Sequence, residues 1–222
     1  MTGASERTGV EVWQGAGLIT VETAAAAIRR GEMVVALDGF DRHLGSLVVA
    51  AQMATPDTVN FMVKHARGLL SVAMLEVDLD RLEIPTMTYH ATNPWSLEFH
   101  MPVDHATLAT TGISAADRAN TIMALADPAS EPSDFTGPGH VVPVAPREGV
   151  RGFVEASIEL VAAAGLRPAA AIIEILGPDG GSADAPELLE FVARHNLSPF
   201  RIGDPAQVDA DGQTRFFGST SK

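Results

Sequence analysis

Two carboxylates, a guanidinium and an imidazole fall within six residues: Asp38, Asp41, Arg42 and His43, in the stretch ALDGFDRHLGSLVV. It sits between two apolar runs. Side chains of these types in one turn can hold an ion, bind an anionic substrate or move a proton. An imidazole titrates near neutral pH, so His43 is a candidate general base. Asp38 and Asp41 also suit the turn itself, because aspartates bond back to local backbone. Two further groups stand out. Glu174 interrupts the apolar run AAAIIEIL, where a carboxylate is costly unless it is paired or faces a cleft. His140 lies in GPGHVV, inside a Pro/Gly/Ser-rich stretch from Ser130 to Val144 read as a long loop. A zinc site from His43, His140 and a carboxylate has no support in ligand spacing.

The elements around these residues alternate helix and strand. VETAAAAIRR is rich in helix-favouring alanine and is stopped by Gly31; Met33 to Leu37 then read as a strand. Thr55 with Pro56 opens a second helix. Gly68 closes it, and Leu69 to Leu75 form a buried strand. SLEFHMPV alternates, with Leu97, Phe99, Met101 and Val103 on one face. Ser114 and Asp117 have the spacing of a capping box. FVEASIELVAAAG is a helix ended by Gly165, and the strand through Leu176 follows it. APELLEFVARHNL is the last helix, before a short strand at Pro199 to Ile202. This order predicts an α/β (α+β) fold: one domain, residues 21–208, with a mixed β-sheet flanked by helices. Residues 1–20 and 209–222 are expected to be flexible.

The chain has 222 residues, a formal charge of −13 and no cysteine. Thiol catalysis and disulfides are excluded, and nucleic-acid binding is disfavoured because phosphate contacts need clustered Lys and Arg. No run has the length of a membrane span and no signal peptide is evident. A cytoplasmic location is the expectation.

TTGISAADR, PSDFTGPGHVVPV, KHARGLLSVAM, EASIELVAAAGLRPAAAIIEIL and LDGFDR, in their order along the chain, resemble the 3,4-dihydroxy-2-butanone 4-phosphate synthase family of the riboflavin pathway. The resemblance covers roughly residues 22–202. It implies a homodimer with sites near the interface, and conversion of ribulose 5-phosphate into formate and a four-carbon phosphate with magnesium. It also places Glu174 on a catalytic glutamate, and His140 on an active-site position. Several positions depart from the family. Its acidic loop D-D-E-D-R-E-N-E-G-D is here D-G-F-D-R-H-L-G-S-L, so the metal-binding glutamate falls on His43, and Gly45 and Leu47 replace two further acids. In its R-G-G-H-T-E-A signature the metal histidine falls on Phe153, the phosphate-binding threonine on Val154 and the arginine on Val150, with Arg151 beside it. The family cysteine falls on Ser71.

From these departures the sequence predicts a repurposed homologue. The expected activity is that of a metal-independent lyase, isomerase or cyclase on a less polar small molecule, in specialised metabolism. His43, His140 and Glu174 would be catalytic. Asp38, Arg42, Ser71, Thr111, Arg151, Phe153 and Val154 would line the substrate site. No cofactor and no metal are expected, and the partners would be a small-molecule substrate and a second copy of the chain, with no nucleic acid and no membrane. Two alternatives stand beside this reading: a non-catalytic ligand-binding or regulatory module, and the ordinary synthase of the riboflavin pathway.

Overall fold

The computed structural model describes residues 13, 15–39, 44–87, 97–147 and 152–203. A mixed sheet forms its centre. In chain order the strands are β1 (Val34–Asp38), β2 (Gly45–Ala50), β3 (Ser71–Met74), β4 (Glu98–Phe99), β5 (Val103–His105), β6 (Phe135–Ala145), β7 (Ala169–Glu174) and β8 (Ser198–Ile202). Across the sheet the order is β4-β6-β3-β7-β2-β1-β8, with β5 paired to β6. The pairs β1/β8 and β3/β6 are parallel; the others are antiparallel.

Helices cover both faces. One face meets α1 (Val21–Arg29) and α5 (Phe153–Ala163); the other meets α2 (Pro56–Phe61), α4 (Ala115–Ala126) and α6 (Ala185–His195). A short α3 (Glu76–Arg81) follows β3. Strand residues alternate between the two layers. Val35, Leu37, Leu47, Val49, Val72, Ala171 and Ile173 enter the core beneath α2, α4 and α6. Val34, Ala36, Val48, Ala50, Ala73, Val144, Ala170 and Ile172 enter the core beneath α1 and α5. Burial on both faces explains why the central strands read as unbroken apolar runs.

Local signals set most helix ends. Thr20, Thr55, Ser114 and Asp184 are N-caps, each accepting a hydrogen bond from the backbone three residues on. Gly31 and Gly165 have φ of +78° and +72°, the left-handed geometry that ends a helix. Four places differ from the sequence reading. The helix after Pro56 continues as a π-helical turn, Met62–Ala66, and ends in left-handed Arg67 rather than at Gly68. Gly68 serves close approach instead: a Cβ there would stand 2.4 Å from the carbonyl oxygen of Glu174. The SLEFHMPV strand is split into β4 and β5, with His100 bridging to Thr86 between them. The expected loop Ser130–Val144 is largely strand β6. A proline in a strand forfeits a ladder hydrogen bond, so the sequence read as loop. Here β6 takes β5 along its Pro/Gly half and β3 and β4 along its apolar half. Finally, Trp13, in the stretch expected to be flexible, is 2% exposed, and its Nε1 donates to the Asp38 carbonyl at 2.9 Å. The expected tail 209–222 lies outside the described residues.

The approach at Gly68 is to rigid backbone, so Gly68→Ala must displace β7 or its own segment. Thermal and urea denaturation should show a loss of about 1–3 kcal/mol. An unchanged melting temperature would mean that the contact is not tight.

Candidate active site

The antiparallel register aligns Ala36 with Ser46 and Ser46 with Glu174. On the other side of β7, Ile172 pairs with Ser71, and Ser71 with Val142. The C-terminal end of β7 therefore meets the N-terminal ends of β2 and β3 and the C-terminal end of β1. Alternation then decides which way the side chains go. Asp38 keeps step with Ala36, Ser46 with Val48, Ser71 with Ala73 and Glu174 with Ile172. All four share the face covered by α1 and α5, at one end of the sheet; His140 reaches the same end from the irregular stretch of β6 that interrupts its pairing with β5. The start of α5 is packed against the same core.

Glu174 is half-buried and accepts a 2.6 Å hydrogen bond from Ser182 Oγ. The turn that carries Ser182 is fixed by the Leu176–Ser182 bridge. Arg67 donates to the carbonyls of Leu176 and Gly177, so it ties the π-helical turn to the same place. Ser46 is buried and donates to the Ile173 carbonyl at 3.0 Å. Ser71 is 4% exposed.

His140 is held by Asp104, a residue that sequence reasoning missed. Asp104 Oδ1 accepts the His140 backbone N–H at 2.9 Å, and Oδ2 lies 2.8 Å from Nδ1. The side chain of His140 is 40% exposed, that of Asp104 only 12%. Periodicity gives no warning of Asp104, since its partner lies 36 residues away on another strand. A second carboxylate shapes the adjoining loop. Asp117 Oδ1 accepts from Thr110 N–H, and Oδ2 accepts from Thr110 Oγ1 and from Gly112 N–H, at 3.0–3.1 Å. These bonds, led by the Thr110 backbone N–H, hold the Asp117 carboxyl below its ordinary value of 3.8. Asp117 donates its own N–H to Ser114, as the capping spacing predicts, but its carboxylate is turned to the loop.

The candidate residues do not all meet. His140 and Glu174 share no hydrogen bond among the described residues, and β3 runs between their strands. Two interstrand spacings of about 4.8 Å put their backbones about 10 Å apart. Thr111 is exposed on the Asp117-held loop. Asp38 is half-buried at the end of β1, beneath Trp13. Phe153 is half-buried at the first turn of α5. Val154 is corrected: it is 1% exposed and packs in the core beneath α5, so it cannot line a substrate site. Leu47 points into the opposite core for the same reason of alternation. At Gly45 a Cβ would stand 2.5 Å from a methyl carbon of Leu188, so a longer side chain there must displace the Leu188 side chain. Asp41, Arg42, His43, Val150 and Arg151 lie outside the described residues.

Magnesium prefers several oxygen ligands. Among the described residues no three His, Asp or Glu side chains converge to hold a metal ion. Glu174 is occupied by Ser182, and Glu155 is occupied at the start of α5 by the N–H groups of Arg147 and Gly152. The described donors do not by themselves complete a cation site.

A helix-covered mixed sheet with its carboxylates, hydroxyls and oriented imidazole gathered at one end is the architecture of a small-molecule α/β domain. The chain belongs to the 3,4-dihydroxy-2-butanone 4-phosphate synthase family, whose model matches residues 22–207. It is 43% identical over 189 residues to the 3,4-dihydroxy-2-butanone 4-phosphate synthase of Agrobacterium fabrum, which covers 83% of this chain and 89% of that one. It is also 43% identical over 195 residues to a bifunctional riboflavin biosynthesis protein of Arabidopsis thaliana chloroplasts, covering 85% of this chain and 36% of that one. The chain thus spans about a third to a half of the bifunctional relatives. Among solved structures, a 3,4-dihydroxy-2-butanone 4-phosphate synthase in complex with two magnesium ions superposes with a TM-score of 0.77 at 33% identity, covering 84% of this chain and 94% of that one.

These likenesses correct the expectation of a repurposed, metal-independent enzyme in specialised metabolism. That expectation rested on a few loop positions. Identity of 43% across nearly the whole of a synthase outweighs them and favours the ordinary synthase. No helix among the described residues is long and apolar enough to cross a membrane.

Asp117 allows a test of the loop. A carboxyl whose folded pKa is lowered stabilises the protein above its unfolded pKa, and that stability is lost as pH falls through the folded value. Wild type should therefore exceed Asp117→Asn in urea midpoint at pH 7 and 5, with the gap closing below pH 4 or so. A gap that stays constant down to pH 3 would contradict the assignment.

Proposed function

We propose that this chain is a 3,4-dihydroxy-2-butanone 4-phosphate synthase of riboflavin biosynthesis, acting on ribulose 5-phosphate. The observation that carries the reading is the 43% identity to the Agrobacterium synthase over 89% of that protein's length. The reaction fits the groups at the sheet end. The five-carbon sugar phosphate and its two products, formate and the four-carbon phosphate, contain the same atoms. No net oxidant is needed, and the chemistry is proton movement and carbon–carbon bond change beside a carbonyl. Glu174 and His140 are the proton-transfer groups: a carboxylate steadied by Ser182 and an imidazole whose Nε2 is free of Asp104. Asp38, Ser71, Thr111 and Phe153 border the substrate, and Arg42, His43 and Arg151 are assigned to it from the sequence alone.

The same reading includes a homodimer in the cytoplasm, with the sites near its interface. Leu108, Ile113 and Met123 are 57%, 54% and 36% exposed, on the loop that Asp117 holds and on α4. Exposed apolar side chains this close to His140 support a subunit contact there.

Purified protein given ribulose 5-phosphate and magnesium should release formate with the four-carbon phosphate. Glu174→Gln should keep its fold by circular dichroism and lower kcat about 10²–10⁴-fold, the usual worth of a general acid or base. Absence of formate from wild type would overturn the assignment.

A further inference from the structure

We propose that His65 and His195 form a proton-sensitive latch. Neutral, the two rings hold the π-helical turn to the end of α6; protonated, they part and loosen the frame that sets Glu174. The effect on turnover rests on the function proposed above, whereas the latch itself does not.

The first support is a cluster of four rings outside the candidate site. The His65 ring centroid lies 4.6 Å from that of Phe61 and 4.6 Å from that of His195. His195 also lies 5.1 Å from Phe61 and 4.7 Å from Phe191. Phe191 is 9% exposed, and both histidines are half-buried. The rings meet tilted or edge to face, the arrangement that neutral aromatic pairs favour. Two imidazolium ions this close repel, and a ring against phenylalanines has lost part of the water that would solvate its charge.

Second, the surrounding charges oppose protonation. Lys64 stands beside His65 in the π-helical turn, and Arg194 stands beside His195 in α6. Burial first, then His65, then Arg194 push the His195 imidazole below its ordinary value of 6.5. The acids of these elements are engaged elsewhere or remote. Glu190 pairs with Arg194, Glu187 accepts the Asp184 N–H, Asp179 accepts the Gly181 N–H, and Asp57 lies in the first turn of α2. From α4, which packs on α2, come Arg118 and Asp117, the latter turned to Thr110 and Gly112. Among the described residues no carboxylate bonds to either ring.

Third, both elements that carry these histidines are anchored next to Glu174. Leu176 N–H donates to the Ala66 carbonyl at 2.9 Å. Arg67, left-handed at φ +70°, donates to the carbonyls of Leu176 and Gly177. On the α6 side, Ala183 N–H donates to the Ile175 carbonyl at 3.1 Å, and Ser182 donates to Glu174. The chain just beyond Glu174 is thus held by the π-helical turn and by the lead-in to α6. The His65–His195 contact joins those two holders.

Amide hydrogen exchange in the full-length chain tests the latch, with protection corrected for the pH dependence of free-chain exchange. Leu176 and Ala183 are the reporters. A depressed folded value means that the closed form is fully held above pH 6.5 and weakens as pH falls from there toward that value. From pH 7.5 to 5.5 wild-type protection should therefore drop about three- to tenfold, the range one imidazole can supply. In the double variant His65→Phe/His195→Phe the rings stay neutral, and protection should not change with pH. The ratio of wild-type to variant kcat on ribulose 5-phosphate should be near one at pH 7.5 and fall by a similar factor at pH 5.5; taking the ratio cancels the titration of His140 and Glu174. Constant protection in wild type, or an equal drop in the double variant, would overturn the proposal. A drop in protection with a flat kcat ratio would overturn the link to Glu174. If the double variant does not fold, proton NMR of wild type decides: a His195 ring that titrates at or above 6.5 overturns the latch, and one that titrates below it upholds the latch. If wild type yields no formate, the functional assignment fails, and exchange still decides the latch.

Discussion

A sheet covered by helices on both faces leaves no room for polar side chains along its strands. That constraint organises this molecule. Every central strand alternates between two dry cores, so a carboxylate, hydroxyl or imidazole survives only where a strand ends or where a partner is built for it. Asp38, Ser46, Ser71 and Glu174 are all at or next to strand termini, and the mixed topology brings those termini to one edge. Phase does the rest: these residues project to the same face because each lies an even number of residues from a core position beneath α1 and α5.

The second theme is backbone approach. Gly45, Gly68, Gly112 and Gly139 each stand where a Cβ would overlap a neighbour, and each of these contacts borders the candidate site. Gly68 lets the segment after the π-helical turn lie on Glu174. Gly45 lets α6 press on the start of β2. Gly112 and Gly139 enclose the Asp104–His140 pair. Gly68 and Gly139 lie on backbone, whereas Gly45 and Gly112 lie on the side chains of Leu188, Asp104 and His140.

Much of this was legible in the sequence. Helix caps at Thr55 and Ser114, stops at Gly31 and Gly165, and the apolar strands β1, β3 and β7 follow from local rules. The family follows from TTGISAADR and its companion segments. What local rules could not reach depends on partners far along the chain. Asp104 gains meaning only from a strand 36 residues on. Strand β6 reads as a loop because two prolines and two glycines mask a strand whose pairing is tertiary. Val154 reads as lining the substrate site because replacement at a position says nothing about which way it faces. The functional reading erred for a related reason: a few altered loop residues were weighed above a scaffold that is retained from end to end.

The central claim is spatial: substrate binds at the end of the sheet that carries Glu174 and His140. A crystal structure of Glu174→Gln soaked with ribulose 5-phosphate tests this most directly. The account predicts sugar density between residue 174 and His140 Nε2, with Ser71 and Phe153 along its border. Sugar bound at the other end of the sheet, or in the groove between His105 and Met123, would contradict it.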